Sequence, residues 1–332
     1  MRVSDNTSAG SVKDALRRTR GRLERLQIQN ATQKKLVTPS DDPAGNSKIL
    51  DIRTQATVNS QFANNGAMAK NRLQFADTAL NELYDIFVRA KEIAINQSSG
   101  ASASVDSRLG VAQEVTALYQ QLLSIANRRV GEQYLFGGFK TLSAPYTPTG
   151  EYRGDNGEMP IEIQKGVYVP INVPGPVAFQ IQRYKSEDQA RSPAAVDKTQ
   201  NSAAAPGEPP PSEQQGVPSI ETIDAFKEID ALRVGLLTND TITIRDTMER
   251  LDELIKNTIT VRAKVSARSN SIDQAIGASE KADLSNAELA TQIEDADYTE
   301  LWSNLAKEET ILRSSLSAAQ KLIQPTLLDF LK

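Results

Sequence analysis

The residues of this chain that could carry out chemistry are groups of carboxylates, because it contains neither histidine nor cysteine. That absence excludes Ser–His and Cys–His couples, imidazole metal ligands and disulfides. Two acidic groups stand out, Asp41–Asp42 and Glu294–Asp295–Asp297. Because paired carboxylates can act as general acid and base or hold a metal ion, a carboxylate-dependent hydrolase is a remote interpretation.

Helix capping is the simpler explanation for both acidic groups. Asp42 precedes Pro43, and proline is favoured at the first position of a helix, where its missing N–H costs nothing. A carboxylate there accepts hydrogen bonds from the free N–H groups and interacts favourably with the helix dipole. Glu294, Asp295 and Asp297 also precede a predicted helix. We therefore predict no catalytic residue, no bound metal and no cofactor.

A third acidic segment, Asp155-Asn156-Gly157-Glu158, loosely resembles a calcium-binding loop. It lacks the D-x-[DN]-x-[DN]-G-x₅-E spacing that supplies six or more oxygen ligands. It lies among short segments in which apolar and polar residues alternate, and Asn-Gly is typical of a turn between two strands. We expect a hairpin turn at this point.

The net charge of −4 argues against a general nucleic-acid-binding surface. A basic run near the N-terminus could still bind nucleic acid or anionic lipid: Arg17, Arg18, Arg20, Arg22 and Arg25. That run has no interleaved aromatic residues and flanks a heptad pattern, so pairing with acidic helices is favoured over nucleic-acid or membrane partners. No apolar segment approaches the roughly 18 residues of a membrane span, and the opening residues predict no cleaved secretory signal.

Both ends of the chain carry the apolar spacing of coiled-coil helices, in alternating three- and four-residue steps. The N-terminal stripe consists of Val12, Leu16, Leu23 and Leu26. The C-terminal stripe consists of Leu301, Leu305, Leu312, Leu316 and Ile323. Because a single short helix with an exposed apolar stripe is marginal in water, we expect both stripes to form an assembly interface and to add little to the stability of a single chain.

The two ends also differ in charge. Residues 1–40 hold nine Lys or Arg and three Asp or Glu, whereas residues 281–332 hold five and nine. We therefore expect the two terminal helices to pair, within one subunit or between neighbours, with the charges selecting the partner. The residues that we expect to pair are Arg18 and Arg22 on one side and Glu300, Glu308 and Glu309 on the other.

The middle of the chain predicts long helices interrupted by one β region. From Asn59 to Ala94 the helical spacing continues without a slip, and a helix from about residue 46 to 96 would be about 75 Å long. Between 146 and 184 the period changes to two, which indicates a small antiparallel β unit. Residues 185–219 contain six prolines and almost no large apolar residue, a composition typical of a flexible linker. Helical spacing resumes near Ile220.

The predicted fold class is mainly α: an elongated antiparallel helical rod with terminal coiled-coil helices and an inserted small antiparallel β domain. The predicted domains are a terminal coiled-coil assembly domain (1–42 and 293–332), a helical rod (43–145 and 220–292), the β domain (146–184) and the linker (185–219).

Several motifs resemble one bacterial superfamily. The opening Met1-Arg2-Val3-Ser4, the Pro-bounded segment 39–44, and the C-terminal stretches 292–297, 315–320 and 327–331 resemble the ends of bacterial flagellins. Two internal segments, 125–138 and 152–157, are more specific. They resemble the hook–filament junction proteins within the flagellin superfamily.

The resemblance implies a structural, non-enzymatic protein that joins the flagellar hook to the filament as a ring of like subunits. It implies export in an unfolded state through the flagellar secretion apparatus, without signal cleavage and with an export chaperone, to an extracellular location on the flagellum. Its partners would be copies of itself, the adjoining hook-side junction protein and flagellin, and its termini would become ordered on assembly. A filament-forming flagellin subunit is the alternative that the sequence leaves open.

Overall fold

The computed structural model describes residues 2–98, 105–184 and 220–328. Within them the chain forms seven helices: α1 (Arg2–Thr32), α2 (Pro43–Ser98), α3 (Val105–Ala126), α4 (Gly175–Phe179), α5 (Ala225–Thr238), α6 (Thr241–Glu294) and α7 (Tyr298–Leu328). The strands in the same ranges are β1 (Arg129–Val130), β2 (Gln133–Tyr134), β3 (Pro160–Gln164), β4 (Val167–Pro170), β5 (Gln180–Tyr184) and β6 (Ile220–Asp224). The predicted mainly α class with a small antiparallel β region is confirmed. The predicted linker, residues 185–219, lies outside the described residues.

The chain divides into two compact units. The terminal unit consists of Met1–Phe62 and Gly277–Lys332, and the central unit consists of Ala63–Ile276. The division falls inside α2 and α6, whereas the sequence places domain boundaries near the ends of these helices. The finer division into a coiled-coil domain, a rod, a β domain and a linker stays a prediction.

The core of the central unit follows the helical spacing that the sequence predicts. Along α2 the buried positions recur every three or four residues: Gly66, Ala69, Leu73, Ala76, Leu80, Leu83, Phe87, Ala90 and Ala94. The buried side of α3 carries Val115, Leu118, Leu122 and Ile125, and that of α6 carries Ile244, Leu251, Val265 and Ile272. Each large aliphatic side chain buried in this way contributes about 1.5–3 kcal/mol, so this core supplies most of the stability of the unit.

Three antiparallel two-stranded sheets complete the central unit. The β3–β4 hairpin agrees with the predicted alternation, since Ile161 pairs with Val169 and the chain turns at Lys165–Gly166. Ile163 and Val169 are buried whereas Tyr168 is exposed, as expected of strands with one covered face. The short β1–β2 pair was not predicted, because two residues per strand are too few for a visible alternation.

The structure corrects the prediction that helix resumes at Ile220. Ile220–Asp224 forms β6, which pairs with β5, so that Ile181 lies opposite Ile223. The helix α5 begins only at Ala225, because the Asp224 side chain caps it by accepting hydrogen bonds from the first N–H groups. The β-branched residues before this cap favour a strand once a partner strand is available. That partner lies before residue 185, and local spacing cannot indicate it.

A second correction concerns the helical block after β6, which the apolar spacing predicts as one long helix. The structure has two helices there. Asn239 adopts the left-handed conformation with φ 58° and ends α5. Asp240 then caps α6 by accepting a 3.0 Å hydrogen bond from the N–H of Ile242. The Asn-Asp pair is therefore both a stop and a start signal, which the apolar spacing alone does not show.

A buried aromatic cluster joins the β region to the helices of the central unit. The ring centroids of Phe136 and Phe179 are 5.1 Å apart, and those of Tyr146 and Phe226 are 4.9 Å apart. Gly150 has φ +80° and lies against this cluster, where an added Cβ would be only 2.6 Å from the Cβ of Phe226. The chain therefore needs glycine at this position for its conformation and also for space.

Gly150→Ala should destabilise the central unit by several kcal/mol, because the new methyl group meets both a left-handed backbone and a packed ring. Gly166→Ala is the matched control, since Gly166 has φ +76° and open space around its Cβ position. The control should cost only about 1–2 kcal/mol. Urea unfolding of both variants measures the difference. Equal losses would show that the ring at Phe226 moves away freely.

Candidate assembly interface

The two terminal helices, α1 and α7, pack against each other within the terminal unit. On α7 the most buried stripe residues are Leu301 and Leu305, with 6% and 7% of their surface exposed. On α1 Thr19 is 4% exposed, and four stripe residues are half-buried: Val12, Leu16, Leu23 and Leu26. The predicted stripes therefore lie on the sides of these helices that are shielded from solvent in a single chain.

The C-terminal stripe departs from its predicted course after Leu312. Ser315 and Ala319 continue the shielded side, whereas Leu316 remains 38% exposed. The predicted stripe reaches Leu316 by two successive four-residue steps, through positions 308 and 312. Successive steps of four rotate the side chains around the helix axis and away from the seam with α1. Ile323 lies where side chains are outside the described part of the structure. Assignment of the stripes to an interface between subunits stays a prediction.

Backbone hydrogen bonds join the end of α1 to the segment before α7. The N–H of Lys35 donates to the carbonyl of Glu294 at 2.7 Å, and the N–H of Ala296 donates to the carbonyl of Gln33 at 3.1 Å. Lys34 and Asp295 form an isolated antiparallel bridge at the same place. These bonds make α1 and α7 run antiparallel and fix the register in which their stripes meet.

One of the predicted charge pairs is present within the chain. The Nε of Arg22 donates to a carboxylate oxygen of Glu308 at 2.9 Å, and the same guanidinium reaches the second oxygen at 3.4 Å. Arg18, Glu300 and Glu309 are exposed and make no ion pair with the residues that the structure describes. The structure thus brings together Arg22 and Glu308 and leaves the other three predicted residues at the surface.

Glu294 forms an ion-pair centre that sequence reasoning missed. Its carboxylate accepts hydrogen bonds from Lys34 at 2.5 Å and from Arg53 of α2 at 2.9 Å, and 14% of the side chain is exposed. The bond from Lys34, together with Arg53, holds the pKa of the Glu294 carboxyl below its usual value. The sequence marked Glu294 as acidic but gave no signal for its two partners, which are far away along the chain.

The other acidic candidates cap turns and helices. Asp42 accepts hydrogen bonds from the N–H groups of Ala44 and Gly45 at 3.1 and 3.0 Å, and this confirms the predicted cap of α2. Asp41 accepts a 2.9 Å bond from the N–H of Thr38, which lowers the pKa of its carboxyl. Asp297 caps α7 through the N–H of Thr299 at 2.8 Å.

The structure corrects the prediction that Glu294, Asp295 and Asp297 all cap the helix that follows them. Only Asp297 caps the following helix, because Glu294 is the last residue of α6 and Asp295 lies in the connection. Hydrogen bonds and ion pairs lower the pKa of the Asp41 and Glu294 carboxyls, which makes these two groups poor proton donors near neutral pH. The Asp42 and Asp297 carboxylates are engaged as helix caps. The geometry therefore gives no support to a hydrolase that uses these residues. In the described ranges no cluster of three or more acidic residues has the arrangement of a metal site.

The segment around Asp155 is a loop rather than the predicted hairpin turn. The Asp155 carboxylate accepts hydrogen bonds from the N–H of Phe139 at 2.7 Å and from the N–H of Gly157 at 2.9 Å. The hydroxyl of Tyr152 donates to the carbonyl of Asp155 at 2.6 Å. The bond from Phe139 lowers the pKa of the Asp155 carboxyl and ties two distant segments together. The acidic side chain thus organises the loop from within the chain.

No helix in the described part of the chain is both long enough and apolar enough to cross a membrane.

Glu294→Gln should reduce stability by about 1 kcal/mol at pH 7, a modest value because Lys34 and Arg53 are partly exposed. The folded-state pKa of Glu294 is lowered, so its contribution is present above the unfolded-state value and is lost as pH falls through the folded one. Urea unfolding followed by the emission of the single tryptophan, Trp302, measures this effect at pH 7 and in acid.

The control is Asp273→Asn, which removes an exposed ion pair with Lys70 from the central unit. This control should leave the transition seen by Trp302 unchanged at either pH. A loss in Glu294→Gln that is as large in acid as at neutral pH would contradict the electrostatic explanation.

Comparisons with known proteins agree with the architecture. Residues 3–141 match the family model of the bacterial flagellin N-terminal helical region. The chain is 23% identical to flagellar hook-associated protein 3 of Escherichia coli (strain K12) over 292 residues, which cover 87% of each chain. It is 27% identical to a flagellin of Listeria monocytogenes over 127 residues, which are 38% of this chain and 44% of that one.

The fold is shared with a solved structure of a flagellar junction protein from Legionella pneumophila. The TM-score is 0.55 at 18% identity, and the match covers 76% of this chain and all of the other, 100%. The resemblance stated from the sequence is therefore confirmed: residues 3–141 match the bacterial flagellin N-terminal helical region, and the chain is similar over most of its length to flagellar hook-associated protein 3.

Proposed function

We propose that this protein is a structural adaptor that assembles with copies of itself and joins the hook of the bacterial flagellum to the filament. The observation that carries the proposal is the antiparallel pairing of α1 and α7. This pairing places both terminal helices in one unit, in which the apolar stripe of α1 is only partly covered. The similarity to flagellar hook-associated protein 3 along 87% of both chains supports the same assignment.

The mechanism follows from the incomplete burial of the terminal unit. On the side of α1 that faces α7, Thr19 is buried but the four aliphatic stripe residues keep part of their surface in water. Two helices joined by a partly exposed seam are marginal in isolation. Contact with neighbouring subunits would cover the remaining apolar surface and offset the entropy lost on ordering these helices.

The same weakness of the terminal unit fits export of the chain in an unfolded state. Secretion by the flagellar export apparatus, with an export chaperone and without a cleaved signal, would deliver the protein to the outside of the cell. There it would form a ring of like subunits that contacts a hook-side junction protein and flagellin. An adaptor role requires no catalysed reaction. It agrees with the roles of the candidate acidic groups, which cap helices or pair with cations.

A filament-forming flagellin is the second candidate function, and the N-terminal helical region that the chain has in common with flagellins favours it. The extent of the matches weighs against it. The flagellin of Listeria monocytogenes aligns with 38% of this chain, whereas flagellar hook-associated protein 3 aligns with 87%. We therefore propose the junction role first.

Deletion of the gene should leave cells that carry hooks without filaments and that release flagellin into the medium. Electron microscopy of the cell surface and analysis of the secreted proteins measure both outcomes. A plasmid copy of the full chain should restore attached filaments. Cells without this protein that still carry attached filaments would contradict the junction role, and a filament composed of this protein would establish the flagellin alternative.

Leu305→Asp should abolish filament attachment, because it places a charge at a position that is 7% exposed against α1. Since this position is already buried in a single chain, we also expect the terminal unit to lose several kcal/mol, unlike a purely intersubunit stripe. Ala306→Asp is the matched control, as Ala306 is exposed on the same helix. Complementation of the deletion strain and unfolding followed by Trp302 give the two measurements.

The central unit should unfold normally in Leu305→Asp, as followed by circular dichroism. Attached filaments in that variant would show that the seam between α1 and α7 is not needed for assembly.

A further inference from the structure

One face of α7 carries an apolar stripe that the seam with α1 does not cover. Tyr298, Trp302 and Leu316 are 57%, 46% and 38% exposed. Steps of four and seven residues keep these side chains, together with the exposed Glu309, within about 40° of one line along the helix. We call these four residues the outer stripe.

The outer stripe contains the chain's single tryptophan beside a tyrosine. The rings of Tyr298 and Trp302 meet edge to face with their centroids 5.9 Å apart. Exposed aromatic side chains arranged in this way form a large apolar surface with polar edges, and tryptophan is enriched among the residues that dominate protein interfaces. This surface therefore has the composition of a contact site rather than of ordinary solvated helix.

A complementary surface lies on α1. Arg18 and Arg25 are exposed, and their seven-residue spacing places them on one line about 10 Å apart. The spacing is the same as that between Trp302 and Glu309. Arg25 approaches the Asp41 carboxylate at 3.7 Å, but 69% of its side chain stays exposed. A guanidinium can pair with a carboxylate and can also stack on an indole ring.

We propose that the outer stripe of α7 binds the Arg18–Arg25 line of α1 on a second copy of this chain. The proposal deepens the proposed function by naming the surfaces through which the subunits associate. Charge complementarity selects the occupant: Arg22 and Glu308 already pair within the chain, which leaves Glu309 and Arg18 for a partner. In this contact Arg25 stacks on Trp302 while Arg18 pairs with Glu309, and Leu316 covers the aliphatic part of a neighbouring side chain.

The two halves of this contact lie on different helices of the same chain, and the proposed contact is heterologous: each copy binds one neighbour through α7 and another through α1, so that one half stays free after the other has bound. Such contacts repeat from subunit to subunit and close into a ring or continue as a helix, whereas an isologous contact stops at a dimer. The proposed pairing is thus of the kind that a ring of like subunits needs.

The test uses the purified full-length chain and the emission of Trp302. With rising protein concentration, sedimentation should show self-association, and the Trp302 emission should shift to the blue at the same concentrations as the indole leaves water. Arg18→Glu and Glu309→Lys should each weaken association about tenfold, which is the effect of about 1.4 kcal/mol. The double variant Arg18→Glu with Glu309→Lys should recover most of the loss.

Arg20→Glu is the matched control, because Arg20 is exposed on α1 but projects from a different side, two residues away from Arg18. It makes the same change of charge and should associate like the unchanged chain. Equal weakening by Arg20→Glu and Arg18→Glu would overturn the proposal, since it would show a general charge effect. Failure of the double variant to recover would overturn it as well.

Cross-linking supplies an independent readout, because the chain has no cysteine of its own. A mixture of Arg18→Cys and Glu309→Cys should form a heterodimer joined by a short bismaleimide cross-linker, which spans the length of an arginine–glutamate pair, in excess over a mixture of Lys48→Cys and Glu309→Cys. Another outcome is a chain that forms oligomers in which Trp302 emits as in the monomer and from which this heterodimer is missing. That result would overturn the proposed contact and leave the adaptor function in place. A chain that stays monomeric at all concentrations would also overturn the proposed contact. The adaptor function is tested separately, by the filaments of the deletion strain.

Discussion

The terminal unit depends on one constraint: neither α1 nor α7 can bury its apolar stripe without the other. The two helices lie at opposite ends of the sequence, so each is a marginal structure until the chain has closed on itself. Leu301 and Leu305 supply the most buried contacts on α7, and the backbone bonds between Lys35 and Glu294 set the register. The pairing leaves part of the α1 stripe exposed, and this is the surface that the proposed contacts between subunits would cover.

The central unit differs from the terminal unit, since its buried apolar core is formed entirely by its own residues. Small residues such as Ala69 and Ala90 on α2 allow close helix packing, and the aromatic cluster around Phe226 fills the space beside the β region. The unit therefore does not depend on a partner for its core. This contrast explains how one chain can combine a self-sufficient body with ends whose remaining exposed surface invites association.

Charge has a narrower role in the terminal unit than the sequence suggests. The excess of basic residues at one end and acidic residues at the other predicts many pairs, but partly exposed pairs are each worth only about 0–1 kcal/mol. The structure uses Arg22 with Glu308 and a centre at Glu294. The charges thus select partner and register, while the apolar stripes and the backbone bonds hold the helices together.

The sequence by itself determined the features that depend on neighbours along the chain: the stripe of α2 from Gly66 to Ala94, the Asp42 cap and the β3–β4 alternation. It could not determine that β6 pairs with β5 across residues 185–219, or that Arg53 and Lys34 meet at Glu294. Local spacing decides which side of an element is apolar, because a helix or strand has a fixed period. Which distant element covers that side is decided only when the whole chain has packed.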